Sequence, residues 1–153
     1  SVRDMCASGD GLDGDACTAE EAAMFEADLS DERVVATIPM DGTIRRQWFG
    51  DSGESSVHGP VLYFSAPDSG GSQDQFESLA PIDFTWVSLE GACHQSFANG
   101  GCTSLDTEEG FRLVGAYSLA FSRSVIFGDA GSDIADILSG TTTLSEIVAV
   151  HRR

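Results

Sequence analysis

The 153-residue sequence predicts an α/β fold with parallel strands, and three observations carry that expectation. Short runs of apolar, largely β-branched or aromatic residues recur at 33–40, 61–66 and 84–89. Segments that open on helix-capping residues alternate with them. The composition, 41% hydrophobic and 22% charged, is that of a chain that buries a core, and its length suits one domain.

The elements follow in order. Residues 1–17, with Gly9, Asp10, Gly11, Asp13, Gly14 and Asp15, read as an irregular acidic loop. Thr18 and Glu21 stand at capping-box spacing ahead of Ala22, Ala23, Met24, Phe25 and Leu29, which predicts a short helix. Residues 33–40 (RVVATIPM) read as a strand buried on both faces. A Gly- and Ser-rich loop at 50–59 leads into residues 61–66 (VLYFSA), which repeat the buried-strand signal. Ser72 and Gln75 again have capping-box spacing, heading a short helix with Phe76 and Leu79. Residues 84–89 (FTWVSL) are the third strand.

Asp106 and Glu109 cap a longer helix whose Phe111, Val114, Tyr117, Phe121 and Val125 recur every three to four residues, with Gly128 as its stop. Residues 132–138 predict one more helix, and 146–150 fit either a helix or an edge strand. The chain thus divides into an acidic, Cys-containing loop and short helix at 1–30, a strand–helix core at 31–127 and a helical extension at 128–153. Three or four strands make a thin sheet for strands this apolar, so the chain reads as part of a larger one.

Eight basic residues, all Arg, face 25 acidic ones, for a net charge of −17. That balance excludes nucleic acid or an anionic membrane surface as a partner held by charge alone. No apolar stretch approaches the ~20 residues that a membrane-spanning helix needs. The four cysteines fall as sequence-local pairs, Cys6 with Cys17 and Cys93 with Cys102, and four cysteines allow three connectivities. Their spacing fits neither a CxxC redox motif nor a four-ligand zinc site. Two short-loop disulfides are the favoured reading, with buried free thiols as the alternative. Disulfides imply an exported protein, extracellular or periplasmic. The start at Ser1, without Met, leads to the expectation of processing, trimming or a fragment.

His94 lies just after the third strand run, where open α/β sheets place working groups. Asp41 follows the first run and Asp68 the second. Either carboxylate suits the role of orienting His94 and stabilising its imidazolium. The plainer alternative for each Asp is a turn residue beside Gly.

Met40-Asp41-Gly42-Thr43, then Gly59-Pro60-Val61-Leu62-Tyr63-Phe64, then Gly91-Ala92-Cys93-His94-Gln95-Ser96-Phe97-Ala98 resemble the C-terminal half of an α/β-hydrolase. The branch they resemble is that of platelet-activating-factor acetylhydrolase and dienelactone-hydrolase-like esterases, over roughly residues 31–125. The resemblance implies the last three or so parallel strands of a hydrolase sheet with their flanking helices. It also implies His94 as general base of a Ser-His-Asp triad and Asp41 as its acid, with Asp68 as the rival acid.

The chain departs from that pattern in having no Gly-x-Ser-x-Gly elbow. Gly50-Asp51-Ser52-Gly53 comes nearest, but Glu54 follows it and no His precedes Ser52 to suit a chymotrypsin-type order. In the family the elbow and one oxyanion donor precede the segment that 33–40 resembles. The expected partner is therefore an N-terminal piece of the same hydrolase carrying Gly-x-Ser-x-Gly, and the expected substrate a small carboxyl ester. No cofactor is expected.

Ser1 as an N-terminal nucleophile suits the start of the chain, but such a nucleophile enters on a strand and residues 1–14 are a polar, Gly-rich loop. Asp10, Asp13 and Asp15 form a weak calcium candidate without EF-hand register, better read as a solvated loop. The non-enzymatic alternative is an acidic interaction domain or inactive fragment in which His94 is incidental.

Overall fold

Strands β1 (Val61–Ser65) and β2 (Phe84–Leu89) carry apolar, β-branched or aromatic side chains at nearly every position, and they pair in parallel. A third strand, β3 (Val148–Arg152), pairs antiparallel with β2 and gives the order β1-β2-β3. The computed structural model describes residues 18–20, 23, 31–41, 59–67, 73, 76–77, 82–97 and 100–153. The chain divides into two compact units, residues 1–32 and 33–153. In the first, Ala19, Glu20 and Ala23 are helical. The rest of the description concerns the second.

Alternation along the strands sends side chains to two faces. Leu62, Phe64, Val87 and Leu89 face one core, completed by helices α1 (Thr107–Phe127) and α2 (Ser132–Ser139) through Leu113, Tyr117, Phe121, Ile134 and Leu138. Val61, Tyr63, Phe84 and Trp86 form the second cluster, with Phe76 and Ile82 packed against it. The Trp86 indole N–H donates to the buried Ser65 hydroxyl at 2.9 Å, and the His151 ring stacks on Trp86 at 4.4 Å. Gln73, Phe76 and Glu77 are helical, in the stretch where a short helix was expected.

Residues 33–40 differ from the expected doubly buried strand. They touch β1 in parallel only through bridges at Thr37 with Val61 and Met40 with Phe64. Thr37 and Asp41 N–H donate to the Pro60 and Phe64 carbonyls, while Thr37 and Pro39 carbonyls accept from Leu62 and Phe64. Pro39 has no N–H to return across to β1, so the ladder is interrupted there. Val34 and Val35 are 64% and 54% exposed, because no strand covers the outer edge among the described residues. Gly59 keeps the segment close to β1: a Cβ there would lie 2.6 Å from the Val35 carbonyl oxygen.

Asp106 caps α1 by accepting the Glu109 N–H at 3.0 Å, and the helix stops at Gly128. The buried face runs through Gly110, Leu113, Tyr117, Ala120 and Phe121, whereas Phe111 is exposed. Of the positions read off the spacing, Tyr117 and Phe121 are buried and Val114 and Val125 pack against the core, so only Phe111 falls outside the stripe. α2 begins at a bend where Asp129 accepts the Gly131 N–H. That bond, with the Arg123 ion pair, holds the Asp129 carboxyl below the usual carboxylate range.

The sheet is mixed, not all-parallel, and residues 128–153 hold α2 and β3, the latter matching the edge-strand alternative at 146–150. One helix between two strands returns the chain for a parallel pairing. Here α1 and α2 make two passes, and β3 starts beside the end of β2, where the Glu90 N–H donates to the Ile147 carbonyl at 2.8 Å.

Candidate active site

Three chain segments reach the C-terminal ends of the parallel pair: Asp41 after its bridge to β1, residues 66–67 after β1, and residues 90–97 after β2. Asp41 is built in by its backbone. Its N–H donates to the Phe64 carbonyl at 2.7 Å, and its φ of 49° places it in the left-handed region. Among the described non-glycine residues it is the only one with a positive φ. Asp tolerates this region better than most residues, and such conformations gather at functional sites.

The carboxylate is 6% exposed and has two anchored oxygens. Oδ1 accepts the Ala66 N–H at 3.1 Å, and Oδ2 lies 3.0 Å from His94 Nδ1. With the carboxylate ionised it can only accept, so this contact calls for a proton on Nδ1. The His94 side chain is 68% exposed, and Nε2 has no partner among the described residues.

His94 opens a 3-10 helix, His94–Phe97, directly after the turn at Glu90–Gly91. Gly91 takes φ of 76°, which a side chain there would resist. The Cys93–Cys102 disulfide, with Cα atoms 5.9 Å apart, ties that turn to the segment ahead of α1. Buried Ser96 closes the turn: its hydroxyl accepts the Cys93 N–H at 3.2 Å, and its own N–H donates to the Cys93 carbonyl at 2.9 Å. Beside the bridge lies a cleft of about 490 Å³, whose lining includes Pro67, Glu90, Cys93, Cys102 and Ser104.

The structure therefore brings His94 and Asp41 together and joins Cys93 to Cys102. Asp68, Cys6, Cys17, Asp10, Asp13, Asp15, Ser1 and Ser52 lie outside the described residues. No group of three metal-ligating side chains occurs among the described residues. Sequence reasoning missed the Ala66 N–H, which no side-chain letter announces, and Ser96, whose only signal is its place three residues after Cys93. No protein-family model matches the chain, and no curated protein matches it. No helix among the described residues is long and apolar enough to cross a membrane.

Proposed function

We propose that this chain supplies the base and the acid of a Ser-His-Asp triad in a carboxyl-ester hydrolase, the nucleophilic serine being carried by a separate piece of the same hydrolase. The observation that carries this reading is the His94–Asp41 pair, with the Asp41 carboxylate buried and held on both oxygens and the His94 side chain exposed. The resemblance of residues 31–125 to the C-terminal half of α/β-hydrolases points the same way. Asp41 is taken as the acid because its carboxylate contacts the His94 ring; Asp68 lies outside the described residues.

The chemistry assigns each group one task. The serine hydroxyl of the partner piece attacks the ester carbonyl as His94 Nε2 takes its proton, and His94 returns that proton to the leaving alcohol. Asp41 keeps the ring in the Nδ1–H tautomer and stabilises the imidazolium. Water then repeats the sequence on the acyl-enzyme. Oxyanion donors would come from the partner piece and contribute about 3–4 kcal/mol each.

The edge at 36–40, which no strand covers among the described residues, suits the partner piece. Thr37 and Asp41 spend their N–H groups on β1, so by strand alternation Ala36, Ile38 and Met40 turn theirs outward. A strand added in parallel there ends beside Asp41 and His94. The disulfide favours an extracellular or periplasmic setting. A short-chain p-nitrophenyl ester assay tests the function: the chain alone should be inactive, and activity with the serine-bearing piece should vanish in His94→Ala. Activity that survives that substitution would refute the reading.

A further inference from the structure

Residues 93, 96 and 102 form a covalent and hydrogen-bonded clasp around the turn that begins at His94. The disulfide joins Cys93, the chain neighbour of His94, to Cys102 across nine positions. Ser96 stands inside the loop so formed. Its hydroxyl accepts the Cys93 N–H at 3.2 Å and lies 2.9 Å from Cys102 Sγ. A disulfide sulfur carries no proton, so the Ser96 hydroxyl is the donor in that second contact. One buried hydroxyl thus links both ends of the bridge.

The opposite side of the pair is held independently. Asp41 is fixed by the Phe64 carbonyl and the Ala66 N–H, neither of which involves the disulfide loop. The bridge therefore lies on the His94 side of the contact, and these two anchors of Asp41 lie outside its loop. Both cysteines are only half-buried, and both line the cleft of about 490 Å³, which has room for a small thiol.

We infer that the Cys93–Cys102 bridge is a thiol-responsive clasp that positions His94 against Asp41, with Ser96 as the positioning residue that couples the two. A dithiol reductant opens it in two steps. One thiolate attacks a bridge sulfur, forming a mixed disulfide and releasing the other cysteine as a thiolate that takes up a proton. The second thiolate of the reductant then displaces the remaining cysteine, so that the reductant leaves as a cyclic disulfide and Cys93 and Cys102 end as thiols. Ser96 loses its Sγ acceptor when Cys102 moves off, and His94 loses its fixed orientation. The catalytic consequence rests on the proposed hydrolase reading; the change in ring orientation does not. For such a hydrolase, full activity would be confined to an oxidising compartment.

The test is an imidazole proton–nitrogen NMR spectrum of the ¹⁵N-labelled chain, recorded oxidised, after dithiothreitol, and after reoxidation. The oxidised chain should show His94 as a single Nδ1–H tautomer. Reduction should abolish that pattern and shift the amides of residues 93–97, while amides of β1, β2 and α1 stay put, and reoxidation should restore it. Ser96→Ala in the oxidised chain should weaken the same pattern, and Ser96→Thr, which keeps a hydroxyl, should largely retain it. An unchanged His94 pattern on reduction would overturn the clasp. So would collapse of the whole spectrum, which would make the bridge a staple of the fold. Failure to find ester hydrolysis with a serine-bearing piece would refute the proposed function and leave the NMR result standing.

Discussion

Asp41 combines a left-handed backbone, a buried carboxylate and two anchored oxygens. The backbone conformation costs about 1 kcal/mol for a non-glycine residue, and Asn accepts it as readily as Asp. Asp41→Asn should therefore preserve the fold while removing the charge that fixes the His94 tautomer. With the serine-bearing piece present, kcat should fall about 10⁴-fold with little change in KM. Asp68→Asn should leave kcat within a few-fold of the parent, and steady-state kinetics on both variants separates the two carboxylates. His94 and Asp41 were legible because each follows an apolar run that reads as a strand. What holds them was not. The Ala66 and Phe64 contacts are main-chain groups, and no side-chain letter announces the left-handed backbone at Asp41.

At the scale of elements, β1, β2, α1 and α2 were readable from apolar runs and capping residues, and the ends of α1 agree with Asp106 and Gly128. The edge segment and β3 were less readable, because burial of 33–40 depends on a neighbouring strand and the direction of β3 on how many helices precede it. Gly59→Ala tests how the edge is held. The added Cβ meets the Val35 carbonyl, a backbone atom with little freedom to withdraw, so thermal unfolding should show a loss above about 1 kcal/mol.

Tyr117 offers a second element-level test. It is fully buried on α1, and its hydroxyl, near the Leu144 backbone, makes no hydrogen bond of normal geometry among the described residues. Burial pushes its phenol pKa up from the ordinary value of 10.0. The folded chain therefore keeps the proton where the unfolded chain has lost it, so this contribution is intact below pH 10 and fades as pH rises through the folded value. Tyr117→Phe should be neutral or stabilising at pH 7, by up to about 1 kcal/mol. It should also flatten the alkaline decline in a denaturant titration repeated from pH 9 to 11.

For the molecule as a whole, a net charge of −17 accompanies an exposed apolar edge at Val34 and Val35. Mutual repulsion opposes edge-to-edge pairing of identical chains. As pH falls toward the isoelectric point near 4.1, that protection is lost, and light scattering should show a solubility minimum there. Val34→Lys with Val35→Lys should weaken capture of the serine-bearing piece, read by size-exclusion chromatography, while leaving the His94–Asp41 contact intact.

In the proposed hydrolase, His94 and Asp41 form the base–acid half of a triad completed by a serine from another piece. The most direct measurement is intact-mass and denaturing-gel analysis of the purified protein, run beside a p-nitrophenyl ester assay of the parent and His94→Ala. The expected result is a second polypeptide containing Gly-x-Ser-x-Gly and hydrolysis that disappears with the imidazole. A single inactive species, or hydrolysis that persists without His94, would contradict this assignment.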